Sequence, residues 1–172
     1  ILRGNHRELT EFFVLPGSQS AGVGRELIQR AFPDDVPHRT IIATPDIRAQ
    51  ARYLKSGVYP FMTEFYFERT PEAQEVETDL VIDLADASPA SLEDLGRIDL
   101  SILGFRRDVD HQFLSNDRSL YFYKRGGQMV GYGYIKRDYY GPFAVLEKDD
   151  FPAILAHTEN EAYKLGATAV GF

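Results

Sequence analysis

FFVLPGSQSAGVGRELIQRAF, residues 12–32, is the stretch that most constrains the fold of this 172-residue chain. Aromatic and β-branched residues over 9–15 predict a strand, which ends at a Pro-Gly pair. A glycine-bearing loop follows over 18–24. Apolar residues then recur at helical spacing over 25–32, and Pro33 ends that helix. The stretch therefore predicts a strand, a loop and a helix in succession.

The loop is typical of an anion site. Its small residues let backbone N–H groups approach a ligand closely, and the helix start adds partial positive charge. Arg25, a cation in the first helical turn, also makes sense beside an anion. No Gly-Lys-Ser/Thr ending is present, and Leu27 stands where a dinucleotide fingerprint needs its third glycine. A phosphate cradle is thus predicted, with an ordinary glycine-bearing turn as the alternative.

The first half continues with alternating strands and helices. A short apolar strand is predicted over 39–44, followed by a helix from Ile47 to Ser56. Thr44 is the expected cap and Pro45 the first helical residue. A glycine ends the helix, and an alternating strand is predicted over 58–69.

The loop Gln19-Ser20-Ala21-Gly22-Val23-Gly24 resembles the coenzyme A loop of the GNAT acetyltransferase superfamily, whose pattern is Gln or Arg, two residues, Gly, one residue, Gly or Ala. Val14 and Pro16 also stand where that family has Val and Pro. The family's next helix follows the pattern Asn-x-x-Ala-x-x-x-Tyr-x-x-x-Gly-Phe. The spacing is kept here, with Asp for Asn and Val for Phe, by Asp46, Ala49, Tyr53, Gly57 and Val58.

The resemblance implies an N-acetyltransferase that moves an acetyl group from acetyl-CoA to a primary amine of an unidentified small-molecule or peptide acceptor. It implies that the backbone of Val14 and Leu15 holds the pantetheine arm and the thioester carbonyl. The pyrophosphate would be held by the N–H groups from Gln19 through Gly24. Arg25 and Asp46 complete the expected cofactor-binding set.

Tyr53 is the expected acid for the departing sulfur, with a packing tyrosine as the alternative. Glu11 or Glu64 could be the base, with a solvated strand residue as the alternative for each. Acceptor-binding elements of this family precede the glycine loop, so the chain is expected to be a fragment. A non-catalytic regulatory or CoA-sensing protein with the same fold is the competing interpretation.

The predicted fold class is α/β (α+β), with GNAT-like mixed sheets flanked by helices. Residues 1–70 would be the acetyl-CoA-binding C-terminal part of a first domain and 71–79 an acidic linker. Residues 80–172 would be a truncated, degenerate second GNAT-like domain. Its elements are a strand over 80–84, a helix from 91, strands over 119–124, 128–135 and 139–146, a helix over 150–165 and a strand over 168–172.

Three features of the second half carry further expectations. The helix from Ser91 should bury Leu95, Ile98, Ile102 and Leu103, with Ser88 or Ser91 as its cap. Gly126-Gly127 predicts a hairpin. Where a cofactor loop would begin, the sequence has no glycine pair and has three carboxylates that would repel phosphates, namely Glu147, Asp149 and Asp150.

Two clusters allow more than one interpretation. The first could stack bases or a ligand, but a packed sheet with tyrosines at its rim is favoured; it consists of Tyr121, Phe122, Tyr123, Tyr132, Tyr134, Tyr139 and Tyr140. The second, Arg106 to His111, could bind a metal or a phosphate. One histidine and two aspartates without a second cluster favour a solvated helix start instead.

Composition excludes several classes of protein. The chain has no cysteine, so disulfides and thiolate metal sites are excluded, and no metal is expected. The formal net charge of −7 disfavours nucleic acid and suits a cationic amine. No apolar run is long enough to span a membrane and no export signal is visible, so a cytoplasmic protein is expected. These features are compatible with a homodimer.

Overall fold

The computed structural model describes residues 1–137 and 139–171. The chain divides into two compact units, Ile1–Thr63 and Glu64–Phe172. Both combine helices with sheets, so the predicted α+β class is confirmed. The first unit contains β1 Leu2–Arg3, β2 His6–Leu9, α1 Val23–Ala31, β3 His38–Ile41 and α2 Ile47–Lys55.

The first unit is built on a β-α-β crossover. β2 pairs in parallel with β3, from His6 opposite His38 to Leu9 opposite Ile41, and α1 connects the two strands. β1 pairs antiparallel with the outer side of β2. The buried apolar residues described in this unit come from α1 and the loop after it, namely Ile28, Phe32 and Val36.

Arg39 fixes the turn between α1 and β3. Its guanidinium donates to the backbone carbonyls of Pro33, Val36 and Ser56 at 2.9, 3.0 and 3.2 Å. These carbonyls belong to the loop after α1 and to the end of α2. One side chain therefore ties three segments of the unit together.

The prediction of long strands over 9–15 and 58–69 is wrong for most of the residues in each. β2 ends at Leu9 rather than Leu15, because its partner β3 ends opposite it at Ile41. Of the strand predicted over 58–69, only β4 Glu68–Arg69 is paired, and it belongs to the second unit. Strand-like composition does not supply a hydrogen-bonding neighbour, and ladder formation requires one.

The predicted cap of α2 is also corrected. Ile47 is the first helical residue, and Asp46 is the N-cap instead of Thr44. The Asp46 Oδ1 accepts the N–H of Ala49 at 2.8 Å, which satisfies a donor that the helix leaves unpaired. Gly57 follows the helix with a φ of 76°, as a glycine at this position commonly does.

The second unit is centred on a four-stranded antiparallel sheet in the order β5-β6-β7-β8. A two-stranded antiparallel ladder joins β4 to β9. The elements after β4 are β5 Val81–Ala85, α3 Pro89–Leu103, α4 Asp108–Leu114, β6 Ser119–Arg125, β7 Gln128–Lys136, β8 Tyr139–Val145, α5 Phe151–Lys164 and β9 Val170–Gly171. Phe172, the end of the last predicted strand, lies outside the described residues.

The predicted hairpin is confirmed. β6 and β7 are joined by Gly126 and Gly127, which have φ values of 57° and 79°. Positive φ at both central residues is what a type I′ turn requires. The cap of α3 is Ser88, whose Oγ accepts the N–H of Ser91.

The sheet of the second unit carries buried clusters with α5, through Ile154 and Ala162, and with α3. Leu95 and Ile98 are fully buried there, as predicted, but Ile102 and Leu103 are exposed. The buried part of α3 ends at Asp99, so its last turn extends into solvent. The predicted buried stripe is therefore too long by one turn.

The segment predicted as a linker over 71–79 lies along α5. The N–H of Glu72 donates to the Glu159 carboxylate at 2.9 Å, and the N–H of Gln74 donates to the Asn160 side chain at 2.6 Å. Glu159 also pairs with Arg69. These bonds group residues 64–79 with the second unit, whereas the sequence had assigned residues up to 70 to the first domain.

Candidate functional site

The glycine loop makes two sharp backbone turns before α1. A 3-10 turn over Pro16–Ser18 is followed by Ser20 with a φ of 67° and by Gly22, the N-cap of α1, with a φ of 86°. A Cβ at Gly22 would meet nothing within 4 Å. Glycine is thus needed there for its backbone angle and not for space.

The loop presents a continuous row of unpaired backbone donors. Within the described part of the chain, the N–H groups of residues 20–24 have no acceptor. The flanking N–H groups are used, since Gln19 donates to Pro16 at 3.3 Å and Arg25 to Gly22 at 3.0 Å. The donors available to a ligand are therefore those of Ser20, Ala21, Gly22, Val23 and Gly24.

The backbone carbonyls of Val14 and Leu15, which precede the loop in the chain, accept hydrogen bonds from it. The Val14 carbonyl accepts the side-chain amide of Gln19 at 3.1 Å, and the Leu15 carbonyl accepts the N–H of Ser18 at 2.8 Å. Gln19 thus braces the loop against the segment that precedes it. This arrangement pre-orders the row of N–H donors, so a bound anion would not have to organise it.

The Phe12 ring lies close both to Tyr53 of α2 and to Gly24 of α1. The ring centroids of Phe12 and Tyr53 lie 6.2 Å apart. The Phe12 ring also lies 3.5 Å from the position that a Cβ on Gly24 would occupy, with Val14 at 3.6 Å. Burial, and after it the charge of Asp46, raise the pKa of the Tyr53 phenol, so the hydroxyl stays protonated at neutral pH.

Three further predicted residues, Asp46, Glu11 and Glu64, have no contact with the row of N–H donors among the described hydrogen bonds. Asp46 caps α2, and the hydrogen bond from Ala49 lowers the pKa of its carboxyl. Glu11 and Glu64 are both exposed, and Glu64 belongs to the second unit. Neither makes a hydrogen bond or ion pair within the described residues.

The second unit contains a buried polar network that sequence reasoning missed. Asp99 of α3 is fully buried and accepts from three groups. Arg107 donates to both carboxylate oxygens at 3.1 and 3.2 Å, His111 Nε2 lies 2.8 Å away, and the Tyr132 hydroxyl donates at 2.6 Å. His111 Nδ1 lies 2.9 Å from the Tyr134 hydroxyl, which completes the network.

Electrostatics of this network favour the ionised carboxylate. Burial alone would raise the pKa of Asp99, but hydrogen bonds from His111, Arg107 and Tyr132 outweigh it and hold the pKa at about 2. Burial raises the pKa of the Tyr134 hydroxyl to about 12. The helix start predicted over 106–111 is confirmed, since α4 begins at Asp108, but His111 is a buried core residue and not a solvated one.

The aromatic cluster forms part of the same packed sheet. Tyr123, Tyr132 and Tyr134 are fully buried, whereas Tyr139 at the sheet end is exposed. The favoured interpretation, a packed sheet with tyrosine at its rim, agrees with this. The cluster offers no open aromatic platform.

A salt bridge stands where a second cofactor loop would begin. Asp150 is buried at the start of α5, and its carboxylate accepts two hydrogen bonds from the Arg125 guanidinium, at 2.7 and 2.9 Å. The same guanidinium also donates to the Asp79 carboxylate, with both distances 2.7 Å. The residues around it form a short 3-10 turn over Lys148–Asp150. A buried carboxylate at this position would repel a phosphate.

Among the described residues, no group of three His, Asp or Glu side chains could hold a metal ion. None of the described helices is long and apolar enough to cross a membrane.

Comparison with known proteins yields a likeness of fold. No family model matches the sequence, and no curated protein matches it. Among solved structures, the chain is similar to one described as a putative acetyltransferase from Pyrococcus horikoshii, with a TM-score of 0.60 and 18% sequence identity. The match covers 97% of this chain and 56% of that one, so the chain spans a little over half of its length. The chain thus shares the fold of part of that structure.

Proposed function

We propose that the first unit is the acetyl-CoA-binding part of a GNAT-type N-acetyltransferase that acetylates a primary amine. The observation that carries the proposal is the row of unpaired N–H donors over 20–24 at the start of α1. The second unit is proposed to be a degenerate GNAT-like domain. The proposal is supported by the Asp150–Arg125 ion pair, which lies where the resemblance implies a phosphate loop.

The pyrophosphate of the cosubstrate would be held by these N–H groups. Donors fixed in advance and lying at a helix start bind anions without reorganising. The backbone of Val14 and Leu15 would lie along the pantetheine arm. When bound, acetyl-CoA supplies an activated acetyl thioester, and the amine displaces its thiolate.

Tyr53 is proposed to donate a proton to the departing sulfur. A tyrosine carries its proton at neutral pH, so its hydroxyl can donate that proton to a departing thiolate. The proposal is supported by Phe12, whose ring lies 6.2 Å from the Tyr53 ring between centroids and also lies against Gly24 at the start of α1.

The binding proposal can be tested with one charge placed at two positions. Ala21→Asp adds a carboxylate within the donor row, whereas Gly17→Asp adds one in the preceding turn, where a new side chain has open space. Isothermal titration calorimetry with acetyl-CoA should show affinity reduced at least tenfold in Ala21→Asp and little changed in Gly17→Asp. Equal effects of both variants, or no binding by the parent chain, would contradict the proposal.

The catalytic proposal requires a separate measurement. Tyr53→Phe should retain acetyl-CoA affinity but lower the rate of thiol release with an amine panel by roughly 10²- to 10⁴-fold. An unchanged rate would remove Tyr53 as the acid.

A non-catalytic CoA-sensing protein is the second candidate. It is favoured by the exposure of Glu11 and Glu64, the two carboxylates considered as bases. Binding of acetyl-CoA without thiol release across the amine panel would support it.

A further inference from the structure

A cavity of about 220 Å³ lies between α1 and the end of α2 in the first unit. Four cationic side chains line it, from Arg25, Arg39, Arg52 and Lys55, against a single carboxylate among the lining residues, that of Asp34. Such an excess of positive charge in a concave site is suited to an anion.

Most of these cations lack an internal partner. Within the described residues, Arg25, Arg52 and Lys55 make no ion pair or hydrogen bond through their side chains. Arg39 is held by three backbone carbonyls, which orient its charge without neutralising it. By contrast, Arg30 on α1 pairs with Glu26, and Arg48 on α2 lies 3.6 Å from Asp46.

Arg25 connects this cavity to the glycine loop. It follows directly after the N–H donors over 20–24, and it lines the cavity. A ligand that reaches both features must carry two anionic groups, one near the start of α1 and another farther along that helix. Coenzyme A has this character, since it carries a pyrophosphate and a separate phosphate monoester on its ribose.

The distribution of charge along the chain supports the same assignment. The first unit has eight lysines and arginines against six aspartates and glutamates, whereas the second has eleven against twenty. The chain as a whole is acidic, yet the unit with the donor row and the cavity carries a positive balance. A polyanionic ligand is therefore favoured at the first unit.

We infer that Arg25, Arg52 and Lys55 bind the 3′-phosphate of the cosubstrate and so select coenzyme A over its 3′-dephospho form. The inference rests on the proposed function. A phosphate monoester carries up to two negative charges, which several converging cations can match with charge-assisted hydrogen bonds. The cavity then determines cofactor specificity, while the N–H row supplies the general pyrophosphate site.

The test compares acetyl-CoA with 3′-dephospho-acetyl-CoA by isothermal titration calorimetry at one pH and one ionic strength. The parent chain should prefer acetyl-CoA by roughly tenfold or more. The double variant Arg52→Gln/Lys55→Gln should lose that preference and bind the dephospho form as the parent chain does. The control Arg30→Gln/Arg48→Gln removes two charges from the same helices outside the cavity, and it should keep the preference.

Three results would overturn the inference. Equal affinity of the parent chain for the two ligands refutes it without using any variant, and the proposed function still stands. If Arg52→Gln/Lys55→Gln is folded by circular dichroism and still prefers acetyl-CoA, the inference is also refuted and the proposed function still stands. If the parent chain binds neither ligand, the proposed function fails and the inference falls with it.

Discussion

Replacing Asp99 by Asn tests whether the buried network stabilises the second unit through its charge. The substitution keeps the shape of the side chain but removes the carboxylate that Arg107, His111 and Tyr132 share. Removing one partner of a buried ion pair leaves the other uncompensated, which typically costs about 3–5 kcal/mol. The free energy of unfolding at pH 7 should fall by this amount.

The pH dependence of the free energy of unfolding gives a second magnitude for the contribution of the Asp99 charge. The pKa of Asp99 is lowered from 3.8 to about 2, which corresponds to roughly 2.5 kcal/mol. Because the folded state has the lower pKa, this stabilisation is present above pH 4 and is lost as the pH falls towards 2. The difference between the parent chain and Asp99→Asn should therefore narrow by about 2 kcal/mol between pH 5 and pH 2, since Asp99 is still about half ionised in the folded state at pH 2.

Urea denaturation measures both quantities. The chain has no tryptophan, so the near-UV circular dichroism of its buried tyrosines, with Tyr132 and Tyr134 among them, serves as the signal. Asp94→Asn is the matched control, since Asp94 lies on the same helix in an exposed pair 3.8 Å from Arg97. It should cost less than about 1 kcal/mol. The reasoning is refuted if the two variants are equally stable, or if the difference does not depend on pH.

Three further substitutions have defined outcomes in urea denaturation followed by far-UV circular dichroism, which reports on the helices of both units. Gly131→Ala should cost about 1–3 kcal/mol, because its Cβ would lie 2.8 Å from the Ala144 carbonyl oxygen, whereas Gly17→Ala has open space and should be neutral. Arg39→Met should destabilise the first unit by about 3 kcal/mol, since three carbonyls lose a charged donor. Gly22→Ala should cost about 1 kcal/mol because of its positive φ, and calorimetry should show weaker acetyl-CoA binding. Neutral outcomes at these sites would contradict the packing, hydrogen-bond and backbone arguments, respectively.

Features with local causes were predictable from the sequence. The Gly126-Gly127 hairpin and the glycine at the end of α2 follow from backbone angles that only nearby residues determine. The strands predicted over 9–15 and 58–69 failed for the opposite reason. Their composition suits a strand, but pairing depends on residues far away in the chain, and those partners end early or are elsewhere.

The buried network shows which signals were present but could not be combined. Asp99 follows Leu95 by four residues, so the pattern already placed a carboxylate on the buried face of α3. Tyr132 and Tyr134 are two residues apart and share one face of a strand. His111 bonds to Asp99 and Tyr134 and contacts the Tyr132 ring, but it comes from a separate short helix, and nothing local links the three segments.

The two parts of the candidate site differ in the same way. A donor row built from backbone N–H groups depends on glycine spacing and on the start of a helix, and both are properties of one short segment. The cavity depends on Arg25 from α1 meeting Arg52 and Lys55 from α2, with Arg39 holding the turn between them. Cations in the last turn of a helix are common because they interact favourably with the helix dipole, so Arg52 and Lys55 do not by themselves indicate a phosphate site. Only the packing of the two helices turns them into a candidate phosphate site.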